Sequence, residues 1–420
     1  MATYESQLMT TLTERGFLYQ CTDEAGLDAA AVGGITGYIG FDCTAPSLHV
    51  GSLVMIMMLR HVQKSGGRPI VLLGGGTTKI GDPTDKDKSR PILTDELIER
   101  NKNGIKKVFS KLLDFDGPNA AIIVDNDEWL SGISYIEFLR DVGKLFTVNR
   151  MVTMETVKRR LDNELPMTFL EFNYPLLQSY DFVELYRRHK CCLQLGGSDQ
   201  WGNIITGVDL ARRMEEAECY GFTTPLITTA SGGKMGKTAD GAVWLNSDPE
   251  YGADFVRSPY EYWQFWRNTD DADVGRFLRI FTDIPLDDIS KLEALEGAQI
   301  NEAKIALANA ATTLLHGADA AAKAEATAAE TFAGGGAAAG LPTFDVTSLD
   351  GFTPVDAAIL CGLASSKGEA RRHIKGGALK INDVKVEDGA SSLNTDDVNA
   401  DGVIKISVGK KRHALIKLAS

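Results

Sequence analysis

The strongest constraint on the fold is a set of short apolar strands that end in glycine-rich or acidic turns. Four such candidate strands lie at residues 35–41, 69–73, 120–124 and 191–195, with helical segments between them. Strands that alternate with helices pair in parallel, and their carboxyl ends meet at one edge of the sheet. The sequence therefore predicts an α/β fold with a doubly wound parallel sheet and a ligand crevice along that edge.

The first strand leads into a helix that begins near a histidine and a glycine. Pro46 lies near the expected helix start, where its missing N–H costs little. Free N–H groups and the positive end of the helix dipole suit an anion there, and His49 adds a donor. Gly51 would let a flat ring lie against the backbone. A plain strand–helix unit with a surface histidine explains this segment equally well.

The second strand runs into three consecutive glycines and then into an acidic turn. Glycines 74–76 remove side chains where a ligand would approach the backbone, and Asp82 precedes Pro83 on the turn. Asp82 is thus placed to meet a cation such as an ammonium group, although an ordinary Asp-Pro turn is the alternative. Lys86 and Arg90 follow on a polar loop that is either solvated or closes over phosphates.

A polar helical face follows in the middle of the chain. Tyr174, Gln178 and Asp181 stand at i, i+4 and i+7, so they share one face of a helix and need polar partners if buried. A bound polar ligand would supply those partners; a helix cap or a solvent-facing surface is the alternative. The preceding segment, residues 129–172, is interpreted as a helical insertion whose surface buries against a partner subunit.

Two further glycine-rich segments follow. The fourth strand ends at Gly196–Asn203, but no Gly-x-Gly-x-x-Gly motif opens a βαβ unit, so a nicotinamide dinucleotide is not favoured. The segment Gly236-Lys237-Thr238 lacks the first glycine, the strand and the long helix of a P-loop. It is predicted to be a mobile loop that carries two lysines, Lys234 and Lys237.

Composition excludes several classes of protein. The net charge of −13 argues against nonspecific nucleic-acid binding. The charge is uneven, however: residues 353–420 hold 11 Lys and Arg against 8 Asp and Glu, so this segment carries +3 and the rest of the chain −16. A small basic segment on an acidic protein fits contact with RNA. The six cysteines show no Cys-x-x-Cys spacing, so we expect reduced thiols, a cytoplasmic protein and no metal site. We expect neither a signal peptide nor a membrane span.

Together these motifs resemble those of the bacterial tyrosyl-tRNA synthetases of class I over essentially the whole chain. His49-Val50-Gly51-Ser52 is similar to the family's HIGH signature, and Lys234-Met235-Gly236-Lys237-Thr238 to its KMSKS signature. Ser52 replaces the second histidine, so any ribose contact from it is shorter and weaker. Gly236 replaces the first serine and leaves both lysines in place.

The resemblance implies the roles of individual residues. Tyrosine contacts are implied for Tyr38, Asp82, Tyr174, Gln178, Asp181 and Gln194. ATP contacts are implied for Asp42, Thr44, His49, Gly51, Ser52, Gly197, Asp199, Gln200 and Lys237. Catalytic roles are implied for His49, Lys234, Lys237, Thr238, Lys86 and Arg90, and tRNA contacts for Lys367, Arg371, Arg372 and Lys375.

It also implies a domain order and a reaction. Residues 1–228 would form a Rossmann-like catalytic domain with a dimerisation insertion, 229–335 the signature loop and a helical anticodon-region domain, and 345–420 a small α+β RNA-binding domain after a flexible linker at 333–341. A homodimer would activate L-tyrosine with ATP, with Mg²⁺ carried by the nucleotide, and transfer it to tRNA(Tyr).

Two alternatives from other classes remain. A non-catalytic RNA-binding homologue would keep the fold, but the presence of His49, Lys234 and Lys237 argues against it. The sister enzyme that charges tryptophan shares the signatures, but a buried pair of Tyr38 and Asp181 suits a phenol better than an indole.

Overall fold

The computed structural model describes residues 3–84, 92–230, 232–233, 235–238, 241–332, 341–399, 402–409 and 412–418, with only the backbone at 237–238, 241 and 331–332. Its internal contacts divide the chain into two compact units. The first comprises residues 1–237, 242–256 and 270–303, and the second comprises 238–241, 257–269 and 304–420.

The core of the first unit is a six-stranded sheet. Its strands are β1 (Gln20–Cys21), β2 (Thr36–Asp42), β3 (Arg68–Gly74), β4 (Ile122–Asp125), β5 (Leu193–Gly197) and β6 (Tyr220–Thr224). In the order β1-β6-β5-β2-β3-β4, strands β2 to β6 pair in parallel and β1 adds an antiparallel edge. The chain order reverses between β2 and β5, which is the point where doubly wound sheets bind ligands. The predicted fold class is confirmed.

Helices cover this sheet. They are α1 (Gln7–Glu14), α2 (Glu24–Ala31), α3 (Val50–Lys64), α4 (Gly75–Thr78), α5 (Asp95–Leu112), α6 (Asp127–Leu130), α7 (Tyr135–Asp141), α8 (Val148–Met151), α9 (Glu155–Asp162), α10 (Phe169–His189) and α11 (Trp201–Glu215). Helix α3 begins at Val50 with His49 as its N-cap, so Pro46 lies before the helix and not in its first turn. Its apolar side chains are buried, as the crossover between β2 and β3 requires.

After β6 the chain contributes to both units in turn. The elements are β7 (Lys237–Thr238), β8 (Gly241–Ala242), α12 (Pro259–Arg267), α13 (Val274–Phe281), α14 (Leu286–Glu293), α15 (Ile300–His316) and α16 (Ala318–Phe332). Helices α13 and α14 belong to the first unit, and α12 and α16 to the second. The predicted linker at 333–341 lies outside the described residues except for Leu341.

The end of the chain forms a small α+β fold within the second unit. It contains β9 (Thr343–Val346), α17 (Pro354–Leu360), α18 (Lys367–Lys375), β10 (Leu379–Ile381), β11 (Val384–Lys385), β12 (Val403–Val408) and β13 (Arg412–Leu418). The sheet order is β11-β10-β12-β13-β9, and β9 joins β13 in parallel. The two predicted helices and small sheet are present; β9, which precedes the helices, was not predicted.

All six cysteines are free thiols. No helix in the described part of the chain combines the length and apolar character needed to cross a bilayer.

Candidate active site

Strands β2 and β5 place a tyrosine and a glutamine side by side where the two strands pair. Tyr38 on β2 pairs in register with Gln194 on β5, and both side chains are buried. The Tyr38 hydroxyl and the Gln194 Oε1 atom have no hydrogen-bond partner among the described residues. Buried polar atoms normally have partners, so these two side chains are suited to a ligand with its own polar group.

Asp181 of α10 is buried in the same region, where its charge acts on Tyr38. Its Oδ1 atom accepts a hydrogen bond from the Trp129 indole N–H at 2.8 Å, and its Oδ2 atom accepts one from Asn126 Nδ2 at 3.0 Å. Burial raises the pKa of Asp181 to about 7 despite these two donors. Burial likewise raises the pKa of Tyr38 well above its usual value, so Tyr38 keeps its proton and can donate or accept a hydrogen bond.

Trp129, the first residue of the segment interpreted as a helical insertion, is buried. It is only 4% exposed, and its indole N–H donates to Asp181. An indole N–H needs an acceptor when it is buried, and this carboxylate supplies one. Within the segment, α7 to α9 and the start of α10 are helical, as predicted, and turns connect them.

A second polar group lies where β5 passes into α11. Gln200 Nε2 donates to Asp82 Oδ2 at 3.1 Å, and Gln178 Nε2 donates to Gln200 Oε1 at 3.4 Å. Asn203 Nδ2 donates to both glutamines, at 3.0 Å to Gln178 and 3.2 Å to Gln200. The buried Tyr174 stands one turn before Gln178 on α10. The structure thus brings together the acceptor oxygens of Asp82, Gln178 and Gln200, which suit a small cation such as an ammonium group.

The first turn of α3 differs from the expectation of free amides. The N–H groups of Val50, Gly51 and Ser52 donate to the Val243 carbonyl, the His49 Nδ1 atom and the His49 carbonyl. These amides are therefore engaged within the chain, and the imidazole becomes the group to consider for an anion. Because Nδ1 accepts a hydrogen bond, neutral His49 carries its proton on Nε2.

The glycine-rich loop approaches this turn through its backbone. A Cβ atom on Gly51 would lie 2.8 Å from the Met235 carbonyl oxygen, and one on Gly236 would lie 2.7 Å from the Gly51 nitrogen. Gly236 also has φ +80°, a conformation that favours glycine. Two glycines therefore allow the close approach of the loop to His49 and α3.

The remaining predicted site residues differ in how they are placed. Asp42 is half-buried at the end of β2, Ser52 is half-buried, Gly197 is buried, and Thr44 and Asp199 are exposed. Lys86, Arg90 and Lys234 lie outside the described residues, and Lys237 and Thr238 are described by backbone alone, as β7. On α18, the four predicted RNA contacts are exposed, namely Lys367, Arg371, Arg372 and Lys375.

Sequence reasoning missed several residues that support the site. Asn126, Trp129, Thr77 and Asn203 contact or align the predicted residues. The signal for Asn126 was its place in the Asp-Asn-Asp turn after β4, and that for Asn203 was its spacing of three residues from Gln200. Within the described part of the chain, no group of three or more His, Cys, Asp or Glu side chains is arranged to hold a metal.

Two family models match the chain. The model described as class I tRNA synthetases (W and Y) matches residues 33–333. The model described as the tyrosine–tRNA ligase SYY-like C-terminal domain matches residues 335–416. Between them the two matches span nearly the full sequence.

Curated and solved relatives agree with these models. A tyrosine–tRNA ligase from a Caulobacter strain is 56% identical over 99% of both chains. Another from Rhodopseudomonas palustris is 54% identical over 100% of both. The crystal structure of a C-terminally truncated mitochondrial tyrosyl-tRNA synthetase from Aspergillus nidulans has a TM-score of 0.68 at 29% identity, covering 78% of this chain and 94% of its own.

Proposed function

The chain belongs to the class I tRNA synthetase family of tryptophan and tyrosine, and on that premise we propose how its residues divide the reaction. Its activity is tyrosine–tRNA ligation. It activates L-tyrosine with ATP to tyrosyl-adenylate and pyrophosphate, and then transfers tyrosine to the 3′ end of tRNA(Tyr).

The buried carboxylate of Asp181 is the single observation that carries the choice of tyrosine. A phenol hydroxyl can donate to Asp181 and accept from Tyr38, whose own hydroxyl has no partner among the described residues. An indole has one N–H donor and no acceptor, so it would leave the Tyr38 hydroxyl unpaired. Leaving a buried polar atom without a partner is costly, and this favours tyrosine over tryptophan and phenylalanine.

The α-ammonium group is proposed to lie at the other end of the pocket. Asp82 supplies the anionic acceptor there, and Gln178 and Tyr174 on α10 supply neutral oxygens. Gln200 and Asn203 are proposed to hold Asp82 and Gln178 in place, since they connect the two through hydrogen bonds. Gln194 would contact the substrate near Tyr38, its neighbour in the sheet.

The adenylation step needs placement and charge more than proton transfer. The tyrosine carboxylate is already ionised at pH 7, so it can attack the α-phosphorus without a general base. His49 is proposed to donate from Nε2 to the phosphates, with Lys234, Lys237, Thr238, Lys86 and Arg90 stabilising the leaving pyrophosphate. The nucleotide itself would contact Asp42, Thr44, Gly51, Ser52, Gly197, Asp199 and Gln200.

Mg²⁺ is proposed to enter the site with ATP. Carboxylate oxygens are ligands that Mg²⁺ accepts, and Asp42 at the end of β2 and Asp199 just after β5 offer such oxygens. Together with the phosphates they fit a metal carried by the nucleotide. When bound, the ion would neutralise charge on the phosphate oxygens.

The C-terminal residues 345–420 are proposed to bind tRNA(Tyr), with residues 1–228 as the catalytic domain and 229–335 as the helical domain. Four basic side chains, Lys367, Arg371, Arg372 and Lys375, extend from α18 into solvent, and the segment from 353 has a net charge of +3. Cations on one exposed helix suit a phosphate backbone.

We also propose a cytoplasmic homodimer. Large apolar side chains are exposed between β4 and the start of α10, at Tyr135, Ile136, Leu139, Val148, Leu161, Phe169 and Leu170. Exposed apolar side chains concentrated in one segment of the chain suit an interface with a second copy. Sedimentation of Ile136→Asp and Phe169→Asp variants should show monomers, whereas Val32→Asp, at another exposed valine, should remain a dimer. Wild-type protein that sediments as a monomer would reject the dimer.

The activity is tested most directly by ATP–pyrophosphate exchange. Exchange should depend on L-tyrosine and should be far slower with tryptophan or phenylalanine at equal concentration. Equal exchange with tryptophan would overturn the assignment of the pocket. A chain that binds tRNA(Tyr) but shows no exchange with any amino acid would be a non-catalytic homologue.

A further inference from the structure

We propose that Thr77 is a positioning residue that couples the tyrosine end of the site to its nucleotide end. A continuous path of side-chain hydrogen bonds runs from Asp181 through Asn126 and Thr77 to Asp42. The inference rests on the proposed function, in which Asp181 binds the phenol and Asp42 binds the nucleotide. All four residues belong to the first unit.

The geometry of Asn126 gives the path a fixed direction. Its Nδ2 group donates to Asp181 Oδ2 and to Thr77 Oγ1, both at 3.0 Å. Its Oδ1 atom accepts from the Gly76 backbone N–H at 2.8 Å. A flipped amide would place oxygen against the carboxylate and a donor against the backbone N–H, so the amide has one workable orientation.

Thr77 continues the path because its hydroxyl has a single proton. Asn126 donates to the Thr77 oxygen, so the threonine proton is available for Asp42 Oδ1, which lies 3.3 Å away. A Cβ atom on Gly74 would lie 2.5 Å from Thr77 Oγ1 and 2.8 Å from Asp42 Oδ1. The glycine at position 74 therefore leaves room for this hydrogen bond.

The two ends of the path are carboxylates, and its middle is buried. Asn126 is 1% exposed and Thr77 is 3% exposed, so water cannot easily replace either of them. When a phenol donates to Asp181, the carboxylate accepts more weakly from the Asn126 amide. The other N–H of that amide can then donate more strongly to Thr77. Hydrogen bonds in series strengthen one another, so Thr77 then holds Asp42 more firmly for the nucleotide. Tyrosine should therefore tighten nucleotide binding, and the reverse must hold.

The test measures coupling and not activity alone. Tyrosine affinity is determined by equilibrium dialysis with and without a non-hydrolysable ATP analogue. The coupling is the dissociation constant of tyrosine without the analogue divided by the constant with it. We expect a ratio above one for wild type. Thr77→Val should lower the ratio by about 2- to 10-fold, the loss expected for one hydrogen bond. Thr77→Ser keeps the hydroxyl and should restore the ratio.

A matched control separates this role from simple structural support. Thr206 is also a buried threonine of the first unit, and its hydroxyl donates to the Gly202 carbonyl. Thr206→Val should leave the coupling at the wild-type ratio, even if it lowers the stability of the fold as Thr77→Val does.

Two results would overturn the inference. One is a wild-type ratio of one; the other is a Thr77→Val variant whose tyrosine affinity changes equally with and without the nucleotide analogue. Either result leaves the proposed function intact if tyrosine-dependent pyrophosphate exchange is normal. Failure of the proposed function would instead appear as wild-type protein without that exchange.

Discussion

Asp181 shows how a single residue takes its chemistry from its surroundings. Two neutral donors, Asn126 and Trp129, align its oxygens, while burial removes the water that would stabilise its charge. The result is a carboxylate that is held in place and titrates near neutrality, at a pKa of about 7. Substrate recognition and pH dependence should therefore be linked at this residue.

Substitutions at the phenol end should separate activation from discrimination. Asp181→Ala should damage tyrosine activation severely, because the substrate hydroxyl loses its acceptor and two buried donors lose theirs. Tyr38→Phe should be milder and should narrow the difference in kcat/KM between tyrosine and phenylalanine. Since the Tyr38 hydroxyl has no partner among the described residues, Tyr38→Phe should change the free energy of unfolding by no more than about 1 kcal/mol. If both variants distinguish tyrosine from phenylalanine as well as wild type does, the substrate hydroxyl is recognised by other residues.

Tyrosine affinity should fall as the pH drops below about 7. The folded-state pKa of Asp181 is raised from 3.8, so the carboxyl group is protonated over a range where it would otherwise be charged. A protonated carboxyl accepts a phenol proton poorly, so the dissociation constant should rise by up to about tenfold per pH unit below that pKa. Calorimetric titrations between pH 6 and 8 measure this; a constant affinity would contradict it.

The same pKa shift affects stability with a definite sign. Between pH 4 and 7 the folded protein binds a proton at Asp181 that the unfolded chain does not bind. The contribution of Asp181 to the free energy of unfolding should therefore decrease as the pH rises through this range. Asp181→Asn removes the titrating group, so denaturant melts of this variant should lack that part of the pH dependence.

Among the structural elements, the start of α3 and the loop before β7 act as a pair. Gly51 and Gly236 let the two backbones approach, and Val50 is tied to the Val243 carbonyl after β8. His49 caps α3 and so sits where the loop arrives. The His49 imidazole therefore lies beside this loop, to which the proposed function assigns a role at the phosphates of ATP.

Lys234 and Lys237 should act on the chemical step. Lys234→Ala and Lys237→Ala should each raise the activation free energy of adenylate formation by about 3 kcal/mol, because a contact that stabilises the transition state is lost. Tyrosine affinity should stay near wild type. Lys106→Ala, at an exposed lysine on α5, serves as the control and should behave as wild type. Pre-steady-state kinetics that show weaker tyrosine binding with an unchanged chemical step would count against this role.

At the scale of the whole molecule, activation and tRNA binding should be separable. The C-terminal fold has its own apolar core, which includes Val355, Ala358, Leu379 and Ile406. Ending the chain within residues 333–341 should therefore leave tyrosyl-adenylate formation intact and make tRNA charging poor. The difference in tRNA affinity between full-length and shortened chains should shrink as salt rises, since phosphate contacts release counterions. Normal charging by the shortened chain would reject the idea.

The sequence by itself determined the sheet class, the strand ends and the signature segments. These are local properties: apolar runs mark β2 to β5, and glycine or aspartate marks the turn that follows each strand. All four predicted strands are present, with bounds shifted by one or two residues. The resemblance carried by His49 to Ser52 and by Lys234 to Thr238 then indicated the family, which the comparisons confirm.

Only the tertiary structure decided which side chains meet. Asn126 contacts Thr77 and Asp181 across 49 and 55 positions of sequence, and Trp129 contacts Asp181 across 52. Likewise, the pairings of β1 with β6 and β9 with β13 join distant segments. No local pattern specifies such partners, because a buried amide or indole needs only some acceptor. The packing of α10 against the sheet, where Phe182 contacts Tyr38, is what brings Asp181 to Asn126 and Trp129.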